Sequence, residues 1–191
     1  MCPHKLEHFF ESPIRLLVFL DGRNFLNVLK EEDIYFSTKT LYKIIEKYIK
    51  KRNRRIIDVK IIFYMSYSVP EWLRQQLNEF GIIIKEFPIK DVDAIMGYEI
   101  SNIINQYRED NLDLEVIICT HDGDFSPIVK SLKRQGINVS ILGLKSKISK
   151  RLCEIGTIIP YIPKFFLTLL SYKNKNLIYH GESRISSQTY L

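Results

Sequence analysis

Short, nearly continuous apolar runs alternate with segments of helical period along most of this chain, and that alternation constrains the fold more than any other feature. "IRLLVFL" (14–20), "VKIIFYM" (59–65), "IIIKEF" (82–87), "LEVIICT" (114–120) and "INVSILGL" (137–144) are too short for buried helices and lack the in-out alternation of a half-exposed strand. Runs of this kind suit strands covered on both faces. Between them lie amphipathic stretches. "STKTLYKIIEKYIKK" (37–51) sets Leu41, Ile44, Ile45, Tyr48 and Ile49 on one stripe, with Ser37 or Thr38 available as N-cap. "SVPEWLRQQLNEFG" places Pro70 at a helix start and Gly81 at its end. Residues 91–108 are amphipathic, and 125–136 read as a helix closed by Gly136. Strands alternating with helices of this length give an α/β fold, a mainly parallel sheet with helices on both sides.

After residue 144 the pattern gives a short helical segment, an "IGTIIPYIP" strand or turn and an apolar "KFFLTLL" helix. No repeat or linker divides the chain, so residues 1–172 read as a single domain. The polar, aperiodic remainder, 173–191, reads as a flexible tail.

The bulk numbers narrow the setting. No apolar run approaches the roughly 20 residues of a membrane span, and "MCPHKLEHFFESPIR" is not a signal peptide. Cys2, Cys119 and Cys153 are too scattered for a disulfide framework or a zinc site. The expectation is a soluble, cytoplasmic protein without a membrane partner. A net charge of +6 and a pI near 9.1 permit a polyanionic partner.

In an open parallel sheet the ligand crevice lies beyond the carboxyl ends of the strands. Acidic residues are expected to fall there. Asp21 directly follows the first strand, and Asp122 and Asp124 follow a later one in "CTHDGDF". Asp93 opens the helical segment "KDVDAIMGYEI". Glu99 is six positions further, rotated by about 240°, and shares a pocket only if the helix start points into it. Each acid alone is also a routine helix cap. Gathered together, they repel by about 4 kcal/mol per pair at ~4 Å and an effective dielectric of about 20. A pool of carboxylate oxygens suits Mg²⁺ or Mn²⁺.

These blocks resemble a known family. "VFLDGRNF" looks like the hydrophobic-Asp-Gly-x-Asn opening of NYN domains, the LabA-like branch of the PIN-like nuclease superfamily. "KDVDAIMGYEI" and "CTHDGDFSPIVKSLKRQGINVSILG" are similar to the family's later acidic blocks, in the family's order, over about residues 14–163. The resemblance implies a three-layer α/β/α sandwich and a metal-dependent ribonuclease site. Asp21, Asp93, Asp122 and Asp124 take the acidic positions: Asp21 and Asp122 as direct Mg²⁺ or Mn²⁺ ligands, Asp93 and Asp124 direct or through water. Asn24 takes the position of the Asn that holds Asp21 or a phosphate, and Thr120 replaces a usual Ser. Glu99 stands where Asp is common, and His121 where a small residue is expected. His121 could narrow the site, contact a phosphate or assist proton transfer; the plainer expectation is a solvent-facing turn histidine.

An RNA substrate, single-stranded or structured, needs a cationic surface. Arg52, Arg54 and Arg55 end the run "KYIKKRNRR". Lys130, Lys133 and Arg134, with Lys145, Lys147, Lys150 and Arg151, form a second group expected to border the active edge and favoured for phosphate contacts. Tyr64, Tyr67 and Trp72 could stack bases, although Tyr64 suits the core equally well and a Trp at a helix start, as Trp72 is, more often packs. The chain could also pair with a second copy as a homodimer. Three functions stay open: a metal-dependent ribonuclease hydrolysing RNA phosphodiesters, a catalytically weak RNA-binding or regulatory adaptor, and another acid-and-metal phosphoryl-transfer enzyme. The last lacks a supporting Glu motif, or a second acid two residues after Asp21.

Overall fold

A computed structural model describes residues 13–52, 55–108 and 113–161. Six strands form one sheet, every neighbouring pair parallel: β1 (Ile14–Asp21), β2 (Ile56–Ser66), β3 (Ile83–Phe87), β4 (Asp113–Cys119), β5 (Asn138–Gly143) and β6 (Thr157–Pro160). Their spatial order is β3-β2-β1-β4-β5-β6. The chain therefore builds outward from β1 in one direction, then returns to β4 and builds outward in the other.

Alternation along the buried strands sorts their side chains into two cores. Leu16, Val18 and Leu20 of β1 and Ile61 and Phe63 of β2 pack against helices α1 (Gly22–Glu31), α2 (Thr38–Arg52) and α3 (Glu71–Glu79). Leu17, Phe19, Ile62 and Tyr64 face the other way, toward α4 (Asp93–Arg108), α5 (Ser126–Arg134) and the short α6 (Lys150–Cys153). All six residues from Leu16 to Asp21 are at most 2% exposed, as a strand covered by helices on both faces requires. The result is the expected three-layer α/β/α architecture.

Local signals account for most boundaries. Ser37 Oγ accepts from Thr40 N–H at 3.3 Å and caps α2. Gly81 and Gly136 follow α3 and α5 in the left-handed region, φ 64° and 79°, where a side chain would be strained. The "IGTIIPYIP" segment contributes β6, paired parallel to β5.

Helix α1 is the element that the pattern does not announce. "DGRN" has the composition of a turn, yet Asp21 is an N-cap whose Oδ1 accepts from Asn24 N–H at 3.1 Å. Gly22 begins the helix because β2 lies against it: a Cβ there would meet the Phe63 ring and stand 2.6 Å from the Tyr64 carbonyl oxygen. No helix among the described residues is long and apolar enough to cross a membrane. The apolar helix expected at 164–170 and the flexible tail expected at 173–191 fall outside the described residues.

Candidate active site

The strand order reverses between β1 and β4, and the register carries two chemically active residues out of the sheet together. Leu20 pairs with Cys119, so Asp21 and Thr120 are the next residues on either side of the switch point. Thr120 is fully buried and joins two acids. Its Oγ1 donates to Asp21 Oδ2 at 3.1 Å and accepts from Asp122 N–H at 3.2 Å. Acids about 100 positions apart in the chain thus share one hydroxyl.

A crevice of about 430 Å³ opens here, its lining made by Asp21, Asp91, Asp93 and Asp122 together with Arg23, Asn24, Asn27 and Lys90. Each acidic element also closes a helix start. Asp91 Oδ1 accepts from Asp93 N–H at 3.0 Å, and Asp122 Oδ1 from Asp124 N–H at 2.9 Å. Caps leave lone pairs unused, since a carboxylate can accept about four hydrogen bonds.

The electrostatics reflect burial and mutual repulsion. Burial above all, then the Asp122 and Asp91 charges, hold Asp21 at about 6, against the downward pull of its bonds to Asn24 and Thr120. Asp93 is raised to about 7 by burial and by Asp21, Asp91, Asp122 and Asp124. A cation would relieve both. The donors are carboxylate oxygens, which select hard divalent ions. Among the described residues no three His, Cys, Asp or Glu groups are gathered closely enough to hold a metal ion. The carboxylates of Asp21 and Asp122 could supply one or two oxygen ligands to an ion that keeps most of its waters, as Mg²⁺ does.

His121 is not the solvent-facing turn residue expected. It is 5% exposed, its ring stacked on Phe25 with centroids 5.3 Å apart. Its Nε2 accepts from Leu144 N–H at 3.0 Å, and its Nδ1 lies 3.2 Å from Asn24 Oδ1. Burial lowers its pKa to about 4, so the ring is neutral across the physiological range. With both nitrogens engaged, it is not placed to shuttle protons.

The family model of the NYN domain matches residues 15–159. The chain belongs to the NYN domain family. NYN domains are a PIN-like nuclease family. A crystal structure of a protein of unknown function from Vibrio parahaemolyticus RIMD 2210633 is similar in fold. It has a TM-score of 0.60 at 19% identity, over 83% of this chain and 98% of that one. At such identity the likeness concerns architecture alone. Among curated proteins, no sequence matches this NYN chain.

Against this frame the remaining expectations divide. Asp124 is not among the residues lining the crevice and is strongly exposed, with Arg151 Nη1 4.0 Å from its carboxylate. Glu99 is turned away. It forms a 2.5 Å ion pair with Lys85 of β3 and lines a separate groove between α4 and the β2–β3 edge. The six-residue rotation along α4 wins over the shared helix.

Basic residues divide by the direction of their helices. Helices of a parallel α/β fold run back from the active edge, so α2 and α5 carry their C-terminal cations away from it. Arg55 is beside Ile14 at the opposite sheet edge, roughly 23 Å of strand from Asp21. The Arg52 side chain and Arg54 fall outside the described residues. Lys133 bonds the Ile155 carbonyl at 2.5 Å, and Arg134 follows it at the far end of α5. That corrects the expectation that these two border the active edge. Lys130 is mid-helix and exposed, whereas Lys145 and Lys147 follow β5 on the active side, Lys147 paired with Glu32 at 2.6 Å.

Sequence reasoning missed two cations that line the crevice with the acids. Arg23 Nη1 donates to the Lys90 carbonyl at 2.6 Å, and both residues line the crevice. Asp91 was hidden as a cap in "KDVD". The signal available for Arg23 was its place two residues after Asp21, at a helix start that read as a turn. Of the aromatics, Tyr64 is core, while Tyr67 and Trp72 are 56% and 47% exposed.

Proposed function

We propose that this NYN protein is a metal-dependent ribonuclease that hydrolyses RNA phosphodiester bonds in the crevice at the β1–β4 switch point. The observation that supports the reading is the Thr120 hydroxyl, which ties the Asp21 carboxylate to the Asp122 backbone at one crevice that both residues line. Asp21 and Asp122 would hold Mg²⁺ or Mn²⁺, with Asp93 and Asp91 completing the negative lobe. When bound, such an ion supplies charge neutralisation at the phosphoryl group and acidifies a coordinated water. Arg23 and Lys90 are placed to fix a phosphate at the rim, where acids alone would repel it. Asn24 offers an uncharged amide between the two signs of charge. The surface beyond the crevice that suits an RNA backbone is Lys145 and Lys147 rather than the α2 terminus.

A second reading, an RNA-binding or regulatory module with little turnover, draws on the loose metal set. One experiment separates them: labelled RNA and DNA oligomers incubated with Mg²⁺, Mn²⁺ or EDTA, wild type beside Asp122→Asn. The nuclease reading expects RNA cleavage that EDTA and the substitution each abolish. Cleavage indifferent to chelator defeats it, and binding without cleavage selects the module.

A further inference from the structure

His121 occupies a slot made for an aromatic ring, and its bonds end on the crevice. Phe25 of α1 covers one face. Gly143, the last residue of β5, leaves room at the edge: a Cβ there would stand 2.9 Å from His121 Nε2 and 3.1 Å from Ile148 Cγ1. The hydrogen-bond pattern then sets the tautomer. Leu144 N–H can only donate, so Nε2 is the acceptor and the ring proton sits on Nδ1. That Nδ1–H points at Asn24 Oδ1, 3.2 Å away, and His121 N–H donates to the same oxygen at 2.9 Å.

Two donors on one oxygen decide which way the Asn24 amide is turned. Its Oδ1 faces His121, so its NH₂ faces away, and among the described residues nothing accepts from Nδ2. Asn24 itself lines the crevice with Asp21, Arg23 and Asp122. We infer that His121 is a positioning residue, a neutral clamp that holds the Asn24 amide with its NH₂ turned into the crevice as a donor to an RNA phosphate oxygen. The inference rests on the nucleic-acid reading of that crevice. It gives a physical use to the one residue of the acidic block that is large where a small one is expected. The clamp also ties three elements to the site at once: the end of β4, the first turn of α1 and the loop after β5.

The test combines a spectroscopic signature with a double-mutant cycle on the full chain. Nitrogen-15 NMR at neutral pH should show His121 protonated on Nδ1 and bare on Nε2; the reverse tautomer overturns the clamp. Affinity for a short labelled single-stranded RNA is measured by fluorescence anisotropy without divalent ions. Asn24→Ala and His121→Gln should each weaken binding, by about tenfold for a lost hydrogen bond to a charged group. His121→Gln made in the Asn24→Ala background should add nothing. Independent, multiplying losses overturn the proposal. His121→Asn keeps an N–H near the Nδ1 position and should restore most of the affinity. Gly143→Ala, which displaces the ring without altering it, should reproduce the His121→Gln loss and serves if that variant misfolds. Failure of wild type to cleave RNA in Mg²⁺ or Mn²⁺ removes the nuclease reading while the binding cycle still judges the clamp. Failure to bind RNA at all removes the clamp's assigned use.

Discussion

Asp21→Asn should stabilise the protein while abolishing its activity. Asp21 is 2% exposed, and its carboxyl titrates at about 6 in the folded chain against 3.8 for a free one. At about 1.36 kcal/mol per pKa unit, ionising it in place destabilises the fold by roughly 3 kcal/mol at neutral pH. Asparagine keeps the Oδ1 that caps α1 but presents an NH₂ to Thr120, whose hydroxyl must turn, at a cost of about 1 kcal/mol. The net gain is roughly 2 kcal/mol, or about 4–8 °C in Tm for a chain of this size. Below about pH 4 the wild-type carboxyl is protonated folded and unfolded alike, so its burial carries no penalty. Between about pH 4 and pH 6 the unfolded carboxyl ionises while the folded one keeps its proton, so the wild type loses that stability over this window, the loss being complete above about pH 6, and the variant loses none. Thermal melts in EDTA from pH 4 to pH 8 measure the divergence, and Mg²⁺ should close it by raising only the wild-type Tm. A variant no more stable than wild type at pH 8, or a gap that does not change with pH, would refute the account of a strained acidic site.

Other perturbations probe single contacts. Thr120→Val preserves volume but leaves Asp21 Oδ2 and Asp122 N–H without their partner; urea melts should show a loss of about 1–3 kcal/mol. The same change removes a bond that lowers the Asp21 pKa, so the acid limb of the cleavage profile should move to higher pH. Arg23→Ala should weaken RNA binding and reduce the salt slope by about 0.7. Lys133→Ala, at the far end of α5, should leave that slope unchanged. Glu99→Gln removes a half-buried ion pair with Lys85; urea melts should show a loss of about 1–2 kcal/mol, with cleavage unaffected.

What was legible depended on whether a signal was local or directional. The runs at 14–20 and 114–120 announce buried strands because burial on both faces forces apolar residues at nearly every position, Arg15 and Glu115 being the charged exceptions, and both lie in the sheet's centre. Asp21 and Asp122 were readable because one ends such a strand and the other lies three residues beyond one. Helix α1 was not, since Asp-Gly is a turn signal and the close approach of Phe63 that demands Gly22 is a tertiary fact. Lys133 and Arg134 follow the acidic block in sequence, but nine residues of helix carry them back along the sheet. His121 was misjudged because exposure was inferred from its neighbours, whereas Gly143 and Phe25, from two other elements, make its slot.

The bland reading of each acid, a helix cap, and the sharp one, a site residue, are not alternatives here. A cap needs one carboxylate oxygen held at a helix start, and a divalent ion needs carboxylates held rigidly against their own repulsion. Asp21, Asp91 and Asp122 each spend one oxygen on a backbone N–H at 2.9–3.1 Å, which fixes the side chain for any ligand on the remaining lone pairs. The N–H donors also return part of the stability that repulsion removes. Parallel strands place those helix starts along one edge, and the β1–β4 reversal separates the helices enough to open a crevice between them. Acids that cap at such an edge are brought together by the topology; acids displaced along a helix, as Glu99 is, are not.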